Sequence, residues 1–380
     1  MSNCFTNKRV EKITPNDEYH YFFGYYDLYP YDKSGKLHLA HRVKFADRLP
    51  NEDDVCEVGV IDVEEKRFIK VGETTAWNFQ QGAFLNWFSD DSIIYNSFID
   101  GNLRSVVSDL NGNIIKVVSM PLASISEDRQ WGLSINFGRI FSFRAGYGYA
   151  AACDENASIN APTDDGVFLV DLKTGKGELL ISYSDIVKKF PEEPFTADKT
   201  VINHVTFNPS GTRFITLFRN KSENGGKRGT QVLIIDRDKK INKITNFQVN
   251  SHYSWKNDCE FMIWSVLEEG KGIYFIDAMT GERRCLKNEI LDRDDVHCLF
   301  SPDKKSFIGD SYPYVDGYRH IYKYNFEDGS VEDLIKVKHC EPKIGDIRCD
   351  LHARFHKNSS IISFDSYHEK YRGIYQIYLD

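Results

Sequence analysis

The sequence predicts an all-β fold, a seven-bladed β-propeller forming a single domain over residues 1–380, and three observations carry that prediction. First, a four-residue phrase recurs: His204-Val-Thr-Phe207, His252-Tyr-Ser-Trp255, His297-Cys-Leu-Phe300 and His352-Ala-Arg-Phe355. Successive histidines lie 48, 45 and 55 residues apart, and a period of about 40–50 residues built from short strands marks a propeller. Second, each copy runs into a turn (Asn208-Pro-Ser-Gly211, Lys256-Asn-Asp258, Ser301-Pro-Asp303, His356-Lys-Asn358) and then into a β-rich run such as Phe214-Ile-Thr-Leu-Phe218 or Ile361-Ile-Ser-Phe364. Third, 21 Tyr and 26 Phe favour pleated strands over helices.

Seven segments follow in order. The first, Tyr19 to Val71, carries the aromatic run Tyr21-Phe-Phe-Gly-Tyr-Tyr26, then Leu37–His41 and Val58–Asp62. The second runs from Trp77-Asn-Phe-Gln-Gln-Gly82 through Ile93–Tyr95 to Ser105–Gly112. The third holds Leu133–Asn136, a stretch from Arg139 to Tyr149 and Gly166–Leu172, with a polar, turn-rich loop over 151–165. Residues 181–199 read as a short inserted helix that Ser184 or Asp185 would cap. Segments four to seven carry the histidine phrases, with outer strands Val232–Asp236, Ile273–Asp277, Ile321–Tyr324 and Ile374–Tyr378. The last unit ends with the chain, so an N-terminal strand is expected to complete its sheet.

Composition bounds the partners. A net charge of −8 argues against nucleic acid or an anionic membrane as the main partner. It leaves room for an anionic small substrate, because one basic pocket fits within an acidic surface. Eight cysteines without a CxxC pair read as scattered free thiols of a reducing compartment. The N-terminus has no apolar core of a signal peptide and no stretch approaches a membrane span. A cytoplasmic location is the expectation.

In a propeller the first strand of each blade lines the central channel. On a regular strand, His and the aromatic three residues on point to opposite faces, so burying the aromatic turns the histidine toward the axis. That places His204, His252, His297 and His352 in one neighbourhood, with Asp350 and Asp310 nearby. Imidazoles plus a carboxylate suit a divalent transition metal. Each histidine taken alone reads as a bond to a neighbouring blade. The recurrence of Asp310-Ser-Tyr-Pro313 with Arg319 as Asp365-Ser-Tyr-His368 with Arg372 reads as one structural Asp–Arg or Asp–turn bond per blade.

The phrases Asn203-His-Val-Thr-Phe-Asn-Pro209, Ser251-His-Tyr-Ser-Trp255 and Asp350-Leu-His-Ala-Arg-Phe355 resemble those of the oligogalacturonate lyases, over about residues 200–380. The resemblance implies a cytoplasmic seven-bladed propeller that cleaves short uronic-acid oligosaccharides by β-elimination with the help of Mn²⁺. By position it puts the catalytic histidine on His204, a metal ligand on His252 and the last-blade ligands near Asp350 and His352. The family's His-x-His pair with an upstream Gln is here Asp350-Leu-His352, and no Gln matches. The N-terminal phrases Phe23-Gly-Tyr-Tyr-Asp27 and Trp77–Gly82 look closer to propellers associated with bacterial surface-polysaccharide clusters.

β-Elimination removes the proton α to a carboxylate, so a positive group must neutralise that carboxylate while a base reaches the carbon. The expected assignment is His204 as base, Arg219 beside it, and His252, His297, Asp350 and His352 around a divalent metal, Mn first. Arg348, Arg144, Gln81 and Tyr312 are the substrate-binding candidates, with Tyr25, Tyr26 and Trp77 as sugar-facing aromatics. Arg144 lies in the glycine-rich Phe143–Tyr149 run, read either as a rim loop or as a hairpin. Two other functions remain open in the sequence. One is a glycan-processing or glycosyl-transferring protein of surface-polysaccharide assembly, for which no Gly-rich phosphate loop is present. The other is a non-catalytic propeller that binds a glycan or protein.

Overall fold

The computed structural model describes residues 4–191, 199–221, 229–340 and 345–379. Its strands form seven antiparallel sheets, the seven blades of a β-propeller. Blade 1 is His20–Phe22, Leu37–Val43, Cys56–Asp62 and Arg67–Thr74; blade 2 is Asn86–Trp87, Ser92–Ile99, Asn102–Asp109 and Ile114–Val118. Blade 3 is Ser124–Ile125, Trp131–Ser134, Gly166–Asp171 and Lys176–Ser182. Blade 4 is Lys199–Phe207, Arg213–Lys221, Gly229–Asp236 and Ile241–Lys243. Blade 5 is Val249–Trp255, Glu260–Leu267, Gly270–Asp277 and Arg283–Leu286. Blade 6 is Val296–Phe300, Ser306–Ser311, Tyr318–Asn325 and Val331–Lys338; blade 7 is Arg354–Phe355, Ile361–Ser366 and Gly373–Tyr378. The N-terminus adds to two of these sheets. Val10–Lys12 pairs with Gly373–Tyr378 as the fourth strand of blade 7, and Cys4–Phe5 lies against Val331–Lys338 as a fifth in blade 6.

Contacts divide the chain into two compact units. One is Met1–Ser97, Val106–Lys116 and Glu289–Asp380; the other is Phe98–Ser105 and Val117–Asn288. In the second unit the third strands of blades 4 and 5 carry uninterrupted apolar runs, Val232–Ile235 and Ile273–Ile276, buried along their length. Two-sided burial of this kind explains why they lack the polar alternation of a half-exposed strand. Trp255 and Tyr253 join Ile215, Val232, Ile234 and Phe261 in that core. The turns are closed by side chains, as in blade 4, where Asn208 Oδ1 accepts from Thr212 N at 2.9 Å and Arg213 N at 3.1 Å.

Blade 3 departs most from the expected outline. Between its second and third strands lies a short helix, α1 (Phe137–Phe143), followed by a 3₁₀ turn over Ala145–Tyr147, so the Phe143–Tyr149 run is not a hairpin. Asn136 starts α1 by accepting from Arg139 N, a cap that outweighs the aromatic content of the run. Arg139 is fully buried and donates to the carbonyls of Thr200, Asn156, Ile159 and Asn160 at 2.7–3.1 Å, so one guanidinium organises the 151–165 loop. The second helix, α2 (Tyr183–Lys189), is capped by Ser182 in a reciprocal box with Asp185, not by Ser184. The expected helix over 181–199 ends there, and its residues 192–198 lie outside the described residues.

The eight cysteines are free thiols. Among the described residues no helix is long and apolar enough to cross a membrane.

Candidate metal and substrate site

The first unit brings two of the four phrase histidines together. His297 opens the first strand of blade 6 and His352 precedes that of blade 7; their rings are 4.5 Å apart between centroids and perpendicular. With Asp350 they form a buried group whose candidate ligand atoms all lie within 4.8 Å of one another.

Each imidazole is fixed through Nδ1. His297 Nδ1 is 2.6 Å from Asp310 Oδ1, and His352 Nδ1 is 2.7 Å from the Gly24 carbonyl. A carbonyl accepts only, so His352 carries its proton on Nδ1, and the Asp310 carboxylate sets His297 the same way. Nε2 is then the lone-pair nitrogen of both rings, the arrangement in which an outer acceptor orients a metal-binding histidine. Nε2 of His352 is buried with no hydrogen-bond partner among the described residues. Burial, and then the neighbouring His297, pushes the His352 imidazole well below its usual value, so it stays neutral and able to ligate.

Asp310 does double duty. It faces His297 across the hairpin and its other oxygen accepts from His352 N at 2.6 Å, tying blade 6 to blade 7. Burial pushes its carboxyl up to about 6. Asp365 holds the equivalent place in blade 7 and accepts from Phe23 N at 3.1 Å. The Asp–Arg bond expected for this recurrence is present at Asp365, with an arginine other than Arg372, whereas Asp310 bonds His297 and His352 N instead. Asp365 pairs with Arg354 at 2.6 Å, while Arg319 pairs with Asp350 at 2.9 Å. Arg372 donates to the carbonyls of Ile347 and Arg348.

Asp350 lies between two guanidiniums. Arg319 Nη1 is 2.9 Å from Oδ1, and Arg348 Nε is 2.8 Å from Oδ2. Burial opposes ionisation, but Arg348 and Arg319 hold the carboxyl well below the usual range. Asp310, Asp350 and Asp346, which pairs with Arg348, face the two guanidiniums of Arg319 and Arg348. A divalent ion on the Nε2 atoms would leave a surplus of one positive charge, suited to an anionic ligand. The donor set fits such an ion: two oriented neutral imidazoles, one of them with a buried unpartnered nitrogen, and one carboxylate.

Tyr25 and Tyr26 arrive by a break in blade 1. Its first strand stops at Phe22, and the chain rejoins the sheet only where Leu39 N donates to Pro30 O and Tyr31 bridges His38. The excursion between sets Tyr25 edge-on to His352 at 5.1 Å and Tyr26 at 5.4 Å from His297. Gly24 makes this possible: its φ is +122°, and a Cβ there would lie 2.9 Å from the Gln81 carbonyl group. Tyr312 lies 5.7 Å from His297, with the Arg348 guanidinium 5.5 Å over its ring.

His204 and His252 belong to the second unit. Both sit where the strand register shifts, between Asn203 and Val205 and between Asn250 and Tyr253, so strict alternation orients neither. Of the four phrases only His297 occupies a regular ladder position. His204 is half-buried in a left-handed conformation, φ 64°, edge-on to Tyr147 at 5.7 Å. His352 is left-handed too, φ 43°; such strain in a non-glycine residue persists where the surroundings over-determine it. His252 is buried beside Ser251 Oγ, 3.2 Å from Nδ1. Arg219 lies on the second strand of blade 4 opposite Val201, and Arg144 ends α1 with its guanidinium 4.3 Å over Tyr147. Gln81 belongs to the turn before blade 2, where its N–H donates to Asn78 Oδ1; neighbouring Gln80 donates to the carbonyls of Asp346 and Arg348. Sequence reasoning placed Asp310 near the histidines but gave it no part in orienting them, and it missed the role of Arg319, whose recurrence pointed to blade-to-blade bonding alone.

No protein-family model and no curated protein sequence matches the chain. Solved structures do. An oligogalacturonate lyase in complex with manganese is 17% identical at a TM-score of 0.66, covering 99% of this chain and 94% of its own. The oligogalacturonate lyase of Vibrio parahaemolyticus is 15% identical with the same score and coverage. The β-propeller domain of the Trilobed protease from Pyrococcus furiosus is 10% identical at 0.50, covering 90% of each chain. At such identities the likeness establishes architecture, and the architecture is a seven-bladed β-propeller resembling that of the oligogalacturonate lyases.

Proposed function

We propose that the protein is a carbohydrate-active lyase that cleaves uronic-acid-containing oligosaccharides by metal-assisted β-elimination. The observation that carries this reading is the convergence of two Nδ1-anchored imidazoles with Asp350, in a fold matched along its length by a lyase bound to manganese. His297 and His352 would hold a divalent ion through Nε2, with Asp350 as third ligand. His252, expected as a ligand, is not needed for that set. When bound, the ion supplies positive charge that neutralises the sugar carboxylate as the adjacent carbon loses its proton. Arg319 keeps Asp350 ionised. Tyr312, half-buried, offers ring surface to a pyranose, and the buried Tyr25 and Tyr26 shield the imidazoles from water.

For the base we propose His204, which is less buried than His252 and sits in a left-handed conformation, φ 64°, where its strand bulges. Arg219 is the proposed cationic partner of the same blade. Incubation with oligogalacturonates and Mn²⁺ tests the reading, because elimination creates a conjugated double bond that absorbs in the ultraviolet. The expected result is absorbance that grows with Mn²⁺, disappears with chelator and is lost in His297→Ala and His204→Ala. Absence of the chromophore from every uronate oligosaccharide, with protein that has bound Mn²⁺, would remove the lyase assignment. Loss in His297→Ala alone would remove His204 as base.

A further inference from the structure

Asp350 is expected to face a metal, yet its carboxylate is already held: Oδ1 accepts two hydrogen bonds, while Oδ2 makes none among the described residues but lies in ion-pair range of a guanidinium. Oδ1 receives Arg319 Nη1 at 2.9 Å and Arg348 Nε at 3.1 Å; Oδ2 lies 2.8 Å from Arg348 Nε. The two arginines are not equivalent. The Arg319 side chain is 3% exposed, whereas that of Arg348 is 15% exposed, and Arg348 also reaches Asp346 at 3.2 Å. The backbone of Arg348 is pinned, since its carbonyl accepts from Gln80 Nε2 and Arg372 Nη2, both at 3.1 Å. The side chain is thus the part able to move, and Tyr312 gives its guanidinium a ring to travel along, next to His297.

Resting on the metal reading above, we propose that Arg348 competes with the metal for Asp350 and, once displaced, receives the carboxylate of the sugar. His297, His352 and Asp350 would hold the cation, and its charge would repel the Arg348 guanidinium from the carboxylate they share. The freed fork then matches a planar carboxylate in two parallel hydrogen bonds, which an ammonium cannot reproduce. Metal and anionic sugar would therefore bind cooperatively, because the first releases the receptor for the second.

Calorimetric titration of Mn²⁺, and then of D-galacturonate, into wild type, Arg348→Ala and Arg348→Lys tests this. Arg348→Gln, which keeps the stem, replaces the alanine variant if circular dichroism shows that variant unfolded. Removing a charged hydrogen-bonding competitor should tighten Mn²⁺ binding by about tenfold or more. Galacturonate binding to the Mn²⁺-loaded variants should weaken by about tenfold, in the lysine variant as well. Equal Mn²⁺ affinity in wild type and Arg348→Ala overturns the competition and leaves the metal reading standing. Tighter Mn²⁺ with unchanged galacturonate affinity overturns the receptor role. Binding of Mn²⁺ by neither protein overturns the metal reading and this inference together.

Discussion

Replacing Asp310 by Asn tests whether that carboxylate sets the state of the two imidazoles or merely fills space. The side chain is 1% exposed and accepts from His297 Nδ1 at 2.6 Å, His297 N at 3.2 Å and His352 N at 2.6 Å. An amide of the same shape has one accepting and one donating end. If its oxygen serves His352 N, its NH₂ confronts His297 Nδ1 and drives that ring's proton to Nε2, the nitrogen meant for the metal. If its oxygen serves His297, the NH₂ opposes the His352 N–H in a buried space. Either way one charge-assisted bond is lost, roughly 1.5–3 kcal/mol before compensation. Asp310 already resists ionisation through burial, so relief of that cost should bring the net destabilisation to about 1–2 kcal/mol. Metal affinity should fall by about 10–100-fold, the usual effect of losing an outer-sphere acceptor. Urea unfolding in chelator and Mn²⁺ titration measure the two separately. Destabilisation with unchanged Mn²⁺ affinity would refute the tautomer reasoning and leave Asp310 as a tie between blades.

Gly24→Ala should displace the excursion that seats both tyrosines, because the new Cβ meets the Gln81 backbone at 2.9 Å from a φ of +122°. A loss of about 2–3 kcal/mol in urea unfolding, with weaker Mn²⁺ binding through the lost His352 anchor, is expected; wild-type values for both would contradict it. Arg139→Lys should cost about 3–5 kcal/mol despite conserving charge, since an ammonium cannot reach four separate carbonyls; a variant as stable as wild type would refute the organising role. Acid should destabilise the fold through His38 and His41. Burial holds His41 down from 6.5 to about 4 and His38 well below 6.5, so the unfolded chain binds protons that the folded chain excludes. Their contribution is complete above pH 6.5 and fades as pH falls toward 4, at about 1.4 kcal/mol per pH unit for each histidine. A melting temperature that stays level across that window would contradict this.

Much of the fold was legible because a propeller repeats its own signal. The His-x-x-aromatic phrase, the turn after it and the β-branched third strand mark blades 4 to 6 in nearly constant spacing. Blade 3 was less legible, since the cap at Asn136 and the carbonyl cage around Arg139 act through contacts that no periodicity reports. At the site, His297, His352 and Asp350 were named from sequence; of the aromatics expected to face a sugar, Tyr25, Tyr26 and Trp77 are buried in the core and Tyr312 is half-buried. The strand alternation used to aim the histidines applies only at His297, because bulges intervene at His204 and His252. Arg319, and the orienting role of Asp310, escaped because a recurrent Asp and Arg in successive blades look alike whether they bond blades or hold a site. Only coordinates separate Asp310, which orients His297, from Asp365, which meets Arg354.

Anomalous diffraction from crystals grown with Mn²⁺ tests the central claim most directly. The account predicts a manganese peak within bonding distance of Nε2 of both His297 and His352, with Asp350 turned toward it. A peak elsewhere on the chain, or none at those nitrogens in crystals that contain the ion, would contradict it.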